Sequence, residues 1–182
     1  MENTLITGAD GMIGSYVDFG FRTNRTTLDV TDLASVRAAC RAHVPKVIIH
    51  LAADTDLARC EKDSAHAHLV NAVGTYNMAL AARECGAELV YVSTSGIFDG
   101  TKKEPYIESD TPNPLNQYGH SKYLGELAVQ GILEDYLIIR VSWVFGGGAV
   151  RDKKFVGKIM QQVGQETISV VSDKYGSPTY AK

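Results

Sequence analysis

Short runs of aliphatic and β-branched residues alternate along the chain with longer stretches in which apolar residues recur every three or four positions. Leu5-Ile6-Thr7 predicts a first strand, followed by a glycine turn and a short helix through about Phe19. A helix starts at Thr31 or Asp32, carries Leu33, Val36, Ala39 and Cys40 at helical spacing, and ends before Pro45. Lys46 to Leu51 (KVIIHL) then predicts a buried strand. Ser64 to Cys85 predicts a long helix stopped by Gly86, and Glu88 to Ser93 (ELVYVS) the next strand. After a polar, proline-bearing loop from Gly100 to Leu115, a helix is expected to about Gly131, a strand over Tyr136 to Ser142, a helix over Lys153 to Val163, and a last strand at Ile168-Ser169-Val170-Val171.

Apolar strands joined by helices imply a parallel sheet with right-handed crossovers, which is a doubly wound α/β domain. With 182 residues the chain can bury one substantial core, so a single domain over residues 1–182 is expected. No internal repeat or low-complexity segment interrupts it.

Composition narrows the partners. Eighteen basic residues against twenty-one acidic ones give a net charge of -3, with no basic run suited to a phosphate backbone, so nucleic acid is not an expected partner. No apolar stretch approaches the ~20 residues needed to cross a bilayer, and no signal-peptide pattern opens the chain, so a cytoplasmic location away from membranes is expected. Cys40, Cys60 and Cys85 lie far apart without a CxxC pair and read as apolar fillers. His66 and His68 point to different sides of a helix, so no metal pair is expected there.

The candidate chemistry begins at Thr7-Gly8-Ala9-Asp10-Gly11-Met12-Ile13-Gly14, a GxxGxxG turn between a predicted strand and helix. Absent side chains let the backbone turn tightly and approach a pyrophosphate, while a helix N-terminus offers free N–H groups to the anion. The next segment, Phe21-Arg22-Thr23-Asn24-Arg25, contains no acid to accept from an adenosine ribose, and its arginines can pair with a 2′-phosphate. That favours NADP, with NAD the alternative.

Tyr118 and Lys122 stand four residues apart near the start of a helix, which puts both on one face. A neighbouring cation lowers a phenol's pKa towards the working range of an acid or base. Val92-Ser93-Thr94-Ser95 ends a strand upstream, where a hydroxyl can steady a substrate carbonyl. Leu51, Ala52 and Ala53 close another strand with residues that let a cofactor lie close, and Asn71 supplies an amide that is either a cofactor contact or a satisfied structural group.

TGADGMIG, LDVTD, HLAADTD, VNAVGTYNMALAARECGA, STSGIFDG, PYIESDTPNPLNQYGHSKYLGE, SWVFG and GSPTYA resemble, in order and spacing, the dTDP-4-dehydrorhamnose reductase branch of the extended short-chain dehydrogenases/reductases. The resemblance implies a Rossmann fold, cofactor contacts from Gly8, Gly11, Met12, Ile13, Gly14, Asn24, Arg25, Asp29, Val30, Leu51, Ala52, Ala53 and Asn71, and catalysis by Thr94, Tyr118 and Lys122, of which Tyr118 and Lys122 also touch cofactor. Ser95 and Trp143 match substrate-side positions. The implied reaction is NAD(P)H-dependent reduction of a 4-keto sugar nucleotide, and a homodimer is among the implied states.

The chain departs from the branch at Ser95-Gly96, where the usual pattern carries acidic and aromatic side chains beside the threonine. Members also continue for roughly another hundred residues, within the usual domain range, so most of a C-terminal substrate lobe is expected to be absent. Rival readings within the resemblance are an epimerase or dehydratase, and a non-catalytic dinucleotide-binding regulatory subunit like that of methionine adenosyltransferase.

Overall fold

Five parallel strands form the central sheet in the order β2-β1-β3-β4-β5, with β1 at Thr4–Thr7, β2 at Phe21–Arg22, β3 at Val47–His50, β4 at Glu88–Thr94 and β5 at Tyr136–Val141. The computed structural model describes residues 3–173 and 176–182. Since β2 lies on one side of β1 and β3 on the other, winding reverses at β1. The carboxyl ends of β1 and β3 therefore open a crevice at a topological switch point, where doubly wound sheets take their ligands.

Helices α1 (Leu33–His43), α4 (Gly74–Cys85) and α5 (Gln117–Ile132) make the crossovers and pack side by side. Local sequence explains their ends. The Asp32 carboxylate accepts from the Ala34 amide at the start of α1, and Gly86, at φ 69°, stops α4 in the left-handed conformation that glycine adopts without strain. The core lies between these helices and the sheet, and includes Leu5, Val36, Ile48, Met78, Leu89, Tyr91 and Val129.

Burial alternates along the strands. Ile48 and His50 of β3 and Leu89, Tyr91 and Ser93 of β4 are buried, whereas Val47, Ile49, Val90 and Val92 are half-buried, and Leu137 and Ile139 of β5 are exposed. One expected element between β1 and β2 is corrected. The helix foreseen from the glycine turn through Phe19 is only a 3-10 turn, Gly14–Tyr16, because Gly20, at φ 70°, already turns the chain into β2.

Other expectations shift as well. The stretch from Ser64 to Cys85 is helical throughout but divided into α3 (Ser64–His68), a π turn (Leu69–Val73) and α4, with an unforeseen α2 (Leu57–Lys62) before it. The helix over Lys153 to Val163 is shorter, α7 (Phe155–Met160), and follows a one-turn α6 (Gly148–Arg151). Ile168 to Val171 forms no strand. Ile168, Val170 and Val171 are exposed, and Ser169 bonds to the Gln162 amide rather than to a strand partner. Instead a second, two-stranded parallel sheet joins β6 (Val144–Phe145) to β7 (Thr179–Tyr180), so the SWVFG and GSPTYA segments pair with each other.

Candidate active site

The glycine turn and the end of β3 meet at the switch point. Gly8 has φ 68°, and a Cβ there would stand 2.7 Å from the Ala52 amide nitrogen, so glycine is required for this contact as much as for any ligand. The Ala52 amide donates to the Thr7 hydroxyl oxygen at 3.2 Å, which ties the two strand ends together. The amides of Asp10, Met12 and Ile13 make no hydrogen bond among the described residues, so the turn that includes Gly11 and Gly14 holds donors in reserve.

On the adenosine side the expected residues separate. Arg22 is committed to main-chain carbonyls, those of Val17 and of Ala9, the latter at 3.2 Å. Only Arg25 remains, exposed and without a hydrogen bond among the described residues. Asn24 donates to Asp10 Oδ2 at 2.8 Å and caps its own turn through Thr26 and Thr27. The Asp29 carboxylate accepts from the Thr31 amide and hydroxyl, which holds its pKa below the usual range, and Val30 is buried against Gly74.

Helix α5 carries the tyrosine and lysine. The Asn116 side chain accepts from the Gly119 amide at its start. Gly119 packs directly on the Gly96 carbonyl, where any Cβ would collide, so α5 lies against the 3-10 turn Ser95–Ile97 that follows β4. That close approach sets Tyr118 beside Thr94. Burial raises the Tyr118 pKa, opposed by a hydrogen bond with the Thr94 hydroxyl and reinforced by Cys60 and Asp54. Thr94 Oγ1 accepts from the Gly96 amide at 3.1 Å, which leaves its own proton for another acceptor.

Lys122 corrects a sequence expectation. Spacing suggested that its charge would lower the phenol's pKa, but its Nζ donates to the Val92 carbonyl at 2.9 Å and lies 4.2 Å from the Tyr91 ring centre. The residue is 2% exposed, and burial pushes its pKa down to about 7, against a raising effect of Glu126. Helical spacing put Tyr118 and Lys122 on one face, while β4 offered the lysine a carbonyl and a ring.

Asn71, one of the expected cofactor contacts, is fully buried in the π turn. Its Oδ1 accepts from the Asp54 amide at 2.8 Å, and its Nδ2 donates to the Asp54 carbonyl and the Ser121 hydroxyl at 2.9 Å each. It acts on the crevice through the Ala53–Asp54 main chain. Trp143, at φ 40°, packs its ring on Gly176 and lies 5.0 Å from Phe155, which engages it within the protein, and Ser95 is half-buried at the start of its turn.

Three groups escaped sequence reasoning. His50 is fully buried, with Nδ1 2.7 Å from the Thr7 hydroxyl and Nε2 3.2 Å from that of Thr75. Asp54, 3% exposed, accepts a bidentate pair from Arg59, with His66 at 3.8 Å; burial raises its pKa, but Arg59, the Asp56 amide and His66 together hold it below the usual range. His68 and His120 face each other at 3.1 Å. All three lie within or beside quoted motifs, HLAADTD and QYGHSK, but their partners are distant in sequence.

Parallel order, switch-point crevice, glycine turn and a helix-borne Tyr118 and Lys122 beside Thr94 define a Rossmann-type domain of the extended short-chain dehydrogenase/reductase class. The chain belongs to the family described as RmlD substrate binding domain, whose model matches residues 1–182. It is 35% identical over 190 residues to the spore coat polysaccharide biosynthesis protein SpsK of Bacillus subtilis, covering 100% of this chain and 66% of that protein. Its fold is similar to that of dTDP-4-dehydrorhamnose reductase from Bacillus anthracis, solved in complex with NADP, with TM-score 0.92, 37% identity and coverage of 99% of this chain and 66% of that one. It also resembles the Yersinia enterocolitica dTDP-4-dehydrorhamnose reductase, with TM-score 0.90, 42% identity and coverage of 100% and 67%. The chain thus spans about two thirds of these proteins' length.

Proposed function

We propose that this chain is the cofactor-binding and catalytic part of an NADPH-dependent reductase of 4-keto sugar nucleotides. The observation that carries the reading is the packing of Gly119 on Gly96, which sets the start of α5, with Tyr118, against the turn that follows Thr94 at the carboxyl end of β4. Similarity to the dTDP-4-dehydrorhamnose reductases, one of them bound to NADP, supports the substrate class and the cofactor.

The crevice suits a dinucleotide. It has reserve amides at Asp10, Met12 and Ile13, small residues at Gly8, Gly11, Gly14, Ala52 and Ala53, and an exposed Arg25 on the adenosine side. When bound, the reduced nicotinamide supplies hydride to a ketone carbon. Tyr118 gives its phenolic proton to the ketone oxygen, and its raised pKa keeps that proton in place at neutral pH. Thr94, one of whose two lone pairs accepts from the Gly96 amide, donates its hydroxyl proton to the same oxygen. Lys122 retains N–H donors beyond its bond to Val92, which suits it to hold the cofactor rather than to charge-pair with the phenol. Ser95 and Trp143 stand on the substrate side in this reading.

The test uses the full-length protein with NADPH and dTDP-4-keto-6-deoxy sugars, following the reduced-nicotinamide absorbance. Turnover is expected, with Tyr118→Phe lowering kcat/KM by about 10²–10⁴-fold while cofactor affinity is retained. NADPH binding with no turnover on any keto sugar sinks the reductase reading in favour of a regulatory subunit.

A further inference from the structure

A long helix after a glycine turn normally contributes about half a positive charge to a bound anion. Here only the Gly14–Tyr16 turn follows, so the reserve amides stand at the crevice with little of that field. A cation reaches the turn from far along the chain.

After β6, Gly146, Gly147 and Gly148 take φ 128°, 74° and 71° and bend the backbone towards the crevice. The Gly147 amide donates to the Tyr16 hydroxyl oxygen at 2.9 Å. Arg151 Nε donates to the Asp10 carbonyl at 3.3 Å, inside the glycine turn, and Lys154 Nζ donates to the Thr55 carbonyl at 2.7 Å, in the loop after β3. Residues 146–154 therefore reach both walls of the crevice. Asp152, 6% exposed, sets the shape of this strap by accepting from the Gly146 and Lys154 amides at 3.1 Å each.

We propose that this strap completes the cofactor's pyrophosphate site, with Arg151 as its cation, an inference that rests on the dinucleotide-binding reading above. Only Nε of Arg151 is engaged, and neither Nη nitrogen makes a hydrogen bond among the described residues, so a planar fork of donors is open beside the unbonded amides. A neutral carbonyl holds the guanidinium weakly. A phosphate oxygen forms charge-assisted bonds roughly twice as strong, so exchanging one acceptor for the other is favourable. Lys154 anchors the far end of the strap, and the cation replaces the charge that the missing helix would have provided.

The experiment measures equilibrium binding of NADPH and of NADH to the full-length protein by reduced-nicotinamide fluorescence, for wild type, Arg151→Gln and Arg151→Lys. Arg151→Gln is expected to raise Kd about tenfold or more for both dinucleotides and to flatten its salt dependence, with the cofactor-free melting temperature unchanged. Arg151→Lys should recover part of the affinity. A Kd within twofold of wild type overturns the proposal. So does a loss confined to NADPH, which would assign Arg151 to the 2′-phosphate instead. Failure of the wild type to bind either dinucleotide would overturn the underlying reading itself.

Discussion

The Lys122 ammonium stands 4.2 Å from the centre of the Tyr91 ring, and the Tyr91 hydroxyl donates to the Lys122 carbonyl at 3.3 Å. The cation is thereby parked on β4 at the cost of desolvation, with its pKa depressed from 10.5 to about 7. The native state then binds fewer protons than the unfolded chain between those values, so stability rises with pH from about 7 towards 10 and this cost is fully present below 7. Denaturation midpoints at pH 7 and pH 9 should show that rise, of order 1 kcal/mol per pH unit. Lys122→Met should flatten it.

His50 gives the corresponding slope on the acid side. Thr75 Oγ1 donates to the Asn71 carbonyl at 2.7 Å, so it accepts from His50 Nε2–H, and Nδ1 accepts from Thr7. Burial first, and the Lys122 charge second, lower the ring's pKa from 6.5 to about 3. The buried ring stays neutral while the unfolded one takes up a proton below about 6.5, so stability falls as pH drops from 6.5 towards 3. The melting temperature of His50→Gln should fall less than that of wild type between pH 7 and pH 4.5.

Asn71 makes three buried hydrogen bonds, and removing its amide strands the Asp54 main chain and the Ser121 hydroxyl. Asn71→Ala should cost about 2–4 kcal/mol in chemical denaturation, against about 1 kcal/mol for Ser121→Ala.

Glu126 is fully buried and pairs with Arg140 at 2.8 Å. Glu126→Leu leaves a largely buried guanidinium unpaired and should cost about 3–5 kcal/mol, whereas adding Arg140→Met should recover most of it. A double-mutant cycle on the melting temperature measures the difference.

Gly119→Ala tests the contact that joins Tyr118 to Thr94. A Cβ there meets the Gly96 carbonyl, so α5 must move away from the 3-10 turn. If the proposed reduction is assayed on the full-length protein, the expected fall in kcat/KM is about 10²-fold, since misplacement by an ångström has that effect. Cofactor affinity measured in parallel should change much less.

How much of this was legible beforehand depended on range. Asp32, Gly86 and Asn116 act within a few residues of themselves, so the boundaries of α1, α4 and α5 followed from local pattern. The π turn around Asn71 and the bond from Asn71 to Ser121 have no such signal, because their partners are apart in sequence by fifty residues.

The sequence by itself determined the parallel α/β order, the place of the glycine turn after β1, and the shared face of Tyr118 and Lys122. Backbone geometry and helical period are local properties that a string of residues carries. Only the tertiary structure decided that Lys122 sits over Tyr91 and bonds to Val92, that Ile168 to Val171 pairs with no strand among the described residues, and that Arg151 returns to Asp10. Each of those outcomes turns on which distant carbonyl, ring or strand edge lies nearest once the sheet has closed, and desolvation makes that choice only after burial.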